Sequence, residues 1–444
     1  LKQESSDSKQ KIYDNVLKSS IYRIGGIHMH FRYGYGKGYR EFDVPDRNIM
    51  AELRQNIVDV GLTGEDEVRR ALREPIASER LSEIVKPGEK VVIVTSDITR
   101  PMPSKTVLPP VMEELMQAGV RYEDITVVFA LGNHRKHTEE EMRYLVGDDI
   151  YEKVRCVDSD VNRCRMLGTT TRGTPVEIFE EVTDADRVIC LGNIEYHYFA
   201  GYSGGAKAIM PGVSTRAAIQ ANHSAMVKDE ARAGALDDNP VRQDIDEVVK
   251  FVPIDFIVNV VLDENKTIIK AVAGHYLHAH REGCRFLDRL YKVSIPEKAD
   301  IVITTPGGFP KDINLYQAQK ALDNAKHAVR DNGIIILLAS CSEGYGEKVF
   351  ERWINTSDSP DSLIERIKTN FELGGHKAAA IALVEKKARV FIVSDLDRSM
   401  CERLYMEPFE SMQEAVDRAF SIMGPDARVL LMPHGGSTLP VVGQ

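Results

Sequence analysis

Val91-Val92-Ile93-Val94-Thr95, running straight into Ser96-Asp97-Ile98-Thr99-Arg100-Pro101, decides the fold. The first five residues are apolar or β-branched, with no polar alternation. That is the pattern of a strand covered on both faces, as in a parallel sheet flanked by helices. The polar cluster that follows falls at the strand's carboxyl end, where open α/β sheets bind their ligands. The same shape recurs outward along the chain. The run 125–130 leads into Gly132-Asn133-His134-Arg135, the run 187–192 into the segment from Ile194 to Pro211, and the run 300–304 into Pro306-Gly307-Gly308. Apolar runs at 333–339, 388–394 and 428–432 also read as strands.

Helical patterns fill the intervals. Thr138 with Glu141, and Ser411 with Glu414, predict capping boxes. Asn239-Pro240 predicts an N-cap with proline at the first helical position. Glycines at 34, 36 and 38 predict an early hairpin over 27–45. The alternation implies an α/β protein with largely parallel sheets. A chain of 444 residues is too long for one core, so two domains are expected. The spans are 21–290 and 298–420, with a boundary near 290–298 and a tail, 421–444, that returns to the first domain.

The formal net charge of −10 argues against non-specific nucleic-acid binding, which needs a positive footprint. No apolar run reaches the length of a membrane span. The polar start, Leu1 to Asn15, carries no secretory signal, and 1–20 reads as a poorly ordered extension. The six cysteines include no C-x-x-C pair and read as buried thiols of a cytoplasmic protein.

Chemistry concentrates in Glu195-Tyr196-His197-Tyr198-Phe199-Ala200-Gly201-Tyr202-Ser203-Gly204-Gly205-Ala206-Lys207. Such glycine density lets backbone approach a ligand and expose amides to anions. It is not a Walker A loop, because Ala206 precedes the lysine and Ala208 follows it. Lys207 can be a solvated lysine, a point charge, a Schiff-base nucleophile or another covalent tether. His134 and His197 both sit in strand-end loops, where a pair of imidazoles can accept and donate protons near neutral pH. His223, sixteen residues beyond Lys207, reads as a metal ligand or a helix-end hydrogen bonder. His275, His278 and His280 have tempting spacing, but no cysteine or carboxylate completes a zinc set, and they read as the start of a helix. A helix over 314–330 would put Asn314, Gln317 and Ala321 on one face, with Tyr316 and Lys320 on another. Its first turn could meet a carboxylate.

Taken together, S-D-x-T-R-P from Ser96, G-x-H-R through His134, H-Y-F-A-G-Y-S-G-G-x-K from His197, N-H-S at Asn222 and P-G-G-F-P-K-D-I-N-L-Y-Q-x-Q-K from Pro306 resemble the nickel-dependent lactate racemase family. The resemblance runs from about residue 27 to the C-terminus, with the motifs in the family's order. It implies a larger N-terminal and a smaller C-terminal α/β domain, with the active site in the cleft. It implies a nickel pincer nucleotide, a pyridinium thioamide/thiocarboxylate mononucleotide attached covalently at Lys207, with His223 as the metal ligand. A pincer plus one imidazole makes four donors, which suits square-planar nickel. By the same resemblance His134 and His197 are the acid/base pair, and Asp97, Ile98, Thr99 and Arg100 contact the cofactor. Gln317, Lys320, Arg100 and Tyr316 hold the substrate. The implied reaction inverts the alpha carbon of a 2-hydroxy acid by proton-coupled hydride transfer. Separate biosynthetic enzymes supply the nucleotide; neither nucleic acid nor membrane is an expected partner.

The chain departs from the family pattern beside the chemistry. Ile98 stands where lactate racemase carries histidine, Asn133 where it carries leucine, and Ala206 where it carries arginine. Asn133 adds a donor and an acceptor, which implies a substrate more polar or larger than lactate, such as malate or a sugar acid. Two other readings compete: a zinc hydrolase using His134, His197 and His223, and a non-catalytic nucleotide- or anion-binding protein.

Overall fold

The computed structural model describes residues 21–24, 28–263 and 265–443, so the extension read at 1–20 lies outside the described residues. The chain forms two compact units. No helix among the described residues is long and apolar enough to cross a membrane.

The first unit comprises Ile57–Leu290 with Lys368–Phe371. Its six-stranded sheet runs, edge to edge, Ile268–Gly274, Phe256–Leu262, Arg187–Asn193, Val91–Ser96, Ile125–Ala130 and Arg155–Asp158. All neighbours are parallel except the first pair. Val91 through Thr95 are buried without a break, as the uninterrupted apolar run requires. From Val91–Ser96 the chain adds strands in one direction and then returns to place Arg187–Asn193 on the opposite side. Strand order therefore reverses between these two strands, and the crevice beyond their carboxyl ends is where this topology binds ligands.

The second unit takes the described residues up to Asn56, Tyr291–Ile367 and those from Glu372 onward. Its six-stranded parallel sheet has the order Glu407–Pro408, Arg389–Val393, Val329–Leu338, Ala299–Thr304, Val429–Met432 and Ile49–Glu52. Here the expected course of the tail is corrected. Val429–Met432 pairs with Ala299–Thr304, and Leu439–Val442 pairs with Lys292–Ile295, so the tail stays in the second unit. A four-residue run buried at every position needs a covered parallel neighbour, and Ala299–Thr304 has one side open for it. The segment that changes unit is the chain's beginning. The predicted hairpin forms as His28–Tyr35 and Gly38–Pro45, and its Phe31, Phe42 and Val44 pack into the core of this second sheet.

The Thr138 and Asn239 caps form as expected. At Ser411 the hydroxyl accepts from Glu414 N, but the reciprocal bond of a capping box is absent among the described residues. The helix expected over 314–330 is Leu315–Ala325, capped by Asn314; the chain turns early because Val329 already pairs with Ala299.

Candidate active site

Three strand ends build one half of the site. After Val91–Ser96 the chain turns tightly, and Asp97, 3% exposed, accepts the Thr99 N–H at 2.6 Å. Its other oxygen lies 2.8 Å from His134 Nδ1, after the neighbouring strand. Burial pushes the Asp97 carboxyl up, but the hydrogen bonds and charge of His134 and Thr99 outweigh it and hold the group below the ordinary carboxylate range. An ionised carboxylate on Nδ1 makes that nitrogen the donor, so the neutral His134 ring carries its lone pair on Nε2. The expected cofactor-contacting residue Asp97 thus has its carboxylate committed to orienting His134. Ile98 acts through its backbone: its N–H donates to His137 Nε2 at 3.0 Å while its side chain packs on the core. His137 is in turn set by Asp158, 2.6 Å from Nδ1. Sequence reading missed His137; its only signal was a second histidine three residues after His134.

The glycine segment supplies the other half. Gly201 has φ +77°, and a Cβ there would lie 1.8 Å from the Ala235 carbonyl; Gly205, at φ +60°, meets the His280 ring at 2.9 Å. No other residue allows these close approaches. Three side chains expected at the site, His197, Lys207 and His223, lie around Phe199. Ring centroids are 4.5 Å apart for His197 and 4.8 Å for His223, and Lys207 Nζ is 6.0 Å from the Phe199 centroid. Phe371 closes the far side of the His223 ring at 4.9 Å.

The electrostatics are one-sided. Burial first, then Arg242 and Arg100, pull the Lys207 ammonium well below the lysine range, against Glu195. Burial, then Lys207, His223 and Arg100, pull His197 well below the histidine range. Ala200 N–H donates to His197 Nδ1 at 3.2 Å, so a neutral His197 carries its proton on Nε2, the opposite tautomer to His134. Arg100 is exposed, and its charge reaches both Lys207 and His197 from the Asp97 turn, which ties the two halves together.

Arg242, fully buried, holds the segment from beneath. It donates to the carbonyls of Ala200, Tyr202 and Gly204 and pairs with Asp246 at 3.6 Å. Nothing in its sequence context marked it. Arg242→Met should cost about 3 kcal/mol, because it removes the buried donor that three backbone carbonyls share, although Asp246 keeps its pair with Arg281. Calorimetry should show melting about 10 °C lower; a change under about 2 °C would show that the guanidinium does not hold the loop.

Among the described residues no group of three or more histidine, cysteine or acidic side chains could hold a metal ion. The three-histidine zinc reading is therefore corrected: His134, His197 and His223 form no such group, and with the Ala200 N–H on Nδ1 the neutral His197 ring has hydrogen rather than a lone pair on Nε2. His278 begins the helix His278–Tyr291, as expected, and His280 Nε2 donates to the Ser203 carbonyl at 2.8 Å, bracing the glycine segment.

The expected substrate-binding residues Gln317, Lys320 and Tyr316 lie in the second unit on Leu315–Ala325. Gln317 and Lys320 are exposed and one turn apart. Tyr316 is half-buried; its ring lies 3.9 Å from Lys377 Nζ, and Lys377 also donates to its carbonyl.

Residues 35–234 match the lactate racemase N-terminal domain and residues 295–440 the lactate racemase C-terminal domain. Lactate racemase of Thermoanaerobacterium thermosaccharolyticum is 34% identical over 417 residues, 91% of this chain and 97% of that one. Lactate racemase of Lactiplantibacillus plantarum is 33% identical over 386 residues, covering 84% and 90%. The solved structure of the T. thermosaccharolyticum apoprotein superposes with a TM-score of 0.83 over 93% of this chain and 99% of that one. A Thermotoga maritima protein at 17% identity and TM-score 0.59, covering 86% and 100%, shares the fold. Two matched domains, and relatives at this identity over nearly the whole length, place the chain in the lactate racemase family, and it is a racemase, an isomerase.

Proposed function

We propose that this protein inverts the alpha carbon of a 2-hydroxy acid more polar than lactate, using a nickel pincer nucleotide tethered at Lys207 and ligated by His223. The observation that carries this is the gathering of an amine, an imidazole ligand and an acid/base imidazole around the one Phe199 ring. The residues fit the group. Acylation of a lysine requires the neutral amine, which the Lys207 site favours. A single imidazole is all that a three-donor pincer needs for square-planar nickel.

When bound, the nucleotide supplies a hydride acceptor for the alpha hydrogen. The protein's task is the hydroxyl proton and the geometry. His134, with Asp97 on Nδ1, takes that proton on Nε2. His197 offers Nε2–H as a hydrogen-bond donor to the oxygen of the planar keto acid. For the opposite enantiomer His197 takes the hydroxyl proton on Nε2, which requires the tautomer with hydrogen on Nδ1 and release of that nitrogen by the Ala200 N–H. Arg100, Gln317, Lys320 and Tyr316 are assigned to hold the substrate, the cations meeting its carboxylate. The biosynthetic enzymes that build the nucleotide are the partners this reading requires. All six thiols are free, in keeping with a reducing cytoplasm.

A cavity of about 120 Å³ opens beside His134, lined by Asn133, Asn162 and Arg216, with Lys136 paired to Asp160 in the same wall. Arg216 is exposed and has no ion-pair partner among the described residues. This supports a substrate with a second polar or anionic group. The test is a panel of lactate, malate and sugar acids, offered as single stereoisomers to protein from a host that makes the cofactor and followed by chiral chromatography. Malate or a sugar acid should turn over. Arg216→Ala should raise the KM of such a substrate about tenfold, as loss of a charge-assisted hydrogen bond does. Turnover of lactate alone would refute the polar-substrate assignment.

A further inference from the structure

The helix Arg216–His223 ends in two buried polar residues, Asn222 at 2% and His223 at 6% exposure. Asn222 Oδ1 lies 2.8 Å from His223 Nδ1. Which end of the Asn222 amide faces the ring is dictated from behind. Its Nδ2 donates to Asp244 Oδ2 at 2.8 Å and to the Val241 carbonyl at 3.2 Å. Both are acceptors, so neither tolerates the amide oxygen. Asp244 is itself 3% exposed and anchored. Thr170 and Thr174, either side of a hairpin turn, donate their hydroxyls to its two oxygens, the latter at 2.6 Å.

We infer that Asp244, through Asn222, is the positioning residue that sets the His223 tautomer. With Asp244 and Val241 holding the NH2 group, the amide oxygen must meet Nδ1, Nδ1 must carry the hydrogen, and the lone pair of the neutral ring lies on Nε2. Turned over, the amide would put its NH2 against Nδ1, move the ring hydrogen to Nε2 and remove the donor from that nitrogen. A metal-ligating histidine is commonly fixed by a partner on its other nitrogen. Here that control extends one residue further, to a carboxylate that touches neither metal nor ligand. The inference rests on His223 being the ligand, as proposed above.

The test reads the tautomer directly. Apo protein carrying 15N-histidine, at a pH where the rings are neutral, is measured by long-range 1H–15N correlation, with His223 assigned by its disappearance in His223→Gln. Wild type should show Nδ1–H. Asp244→Asn, which allows the amide to turn over, should raise the Nε2–H form severalfold, and Asn222→Ala should do the same. Loss of general packing alone would lower the melting temperature without moving a proton between ring nitrogens. In protein from a cofactor-making host, nickel retention should also fall about 10–100-fold in either variant. A wild-type ring protonated on Nε2 would overturn the inference, even if both variants failed to fold; so would an unchanged tautomer in folded Asp244→Asn. The tautomer is measured without metal. An expected tautomer with nickel retention unchanged in His223→Gln would therefore sink the assignment of the ligand while leaving the relay intact.

Discussion

Lys207→Ala should lose the cofactor adduct entirely, and racemisation should fall by ~10³-fold or more, the loss of at least ~4 kcal/mol of transition-state stabilisation. The reason lies in the site. A lysine in water is nearly all ammonium at neutral pH and cannot attack an acyl group. Burial and the nearby Arg242 and Arg100 guanidinium groups destabilise the ammonium of Lys207 and raise the neutral fraction. Intact mass of protein from a cofactor-making host should show a nickel-nucleotide increment that is absent from Lys207→Ala. Lys207→Arg should fail equally, since it restores charge but not an acylable amine. An increment that survives in Lys207→Ala would remove the tether from this residue.

The second large effect belongs to the histidine pair. His134→Ala and His197→Ala should each lower kcat/KM by about 10²–10⁴-fold, the usual contribution of a positioned acid or base. For enantiomers the equilibrium constant is one, so each variant must slow both directions equally. The half-reactions separate them: in a single turnover, each variant should still release keto acid from one enantiomer and not from the other. Equal loss for both would argue that the two rings do not divide the work by face. The His197 ring should also stay neutral as pH falls through the ordinary histidine range near 6.5, because burial and the surrounding cations oppose the imidazolium. An NMR titration of that ring in apo protein checks it.

Much of this was legible in the chain before folding. The runs 91–95 and 301–304 are buried at every position, as strands covered on both faces are. The polar and glycine clusters directly after them had to fall at strand ends, and His134, His197 and Lys207 were found there. The strands Phe256–Leu262 and Ile268–Gly274 were passed over, because a short apolar run does not announce whether it is strand or helix. The tail was misplaced for a related reason. Val429–Met432 says that it is buried, not beside which strand, and pairing is settled by whichever edge remains open.

What the sequence determined by itself was local: which segments are strands, which loops carry chemistry, and which residues belong to a family's motifs. These follow from periodicity and composition over a few neighbours. What only the tertiary structure decided was the direction of individual hydrogen bonds. Asp97 reaches His134 across 37 positions, Arg242 reaches the glycine segment across about 40, and Asp244 reaches Asn222 across 22. No local pattern encodes such contacts, because they exist only once sheet order has brought distant strand ends and helices together. The first of them fixes which nitrogen of His134 carries the proton.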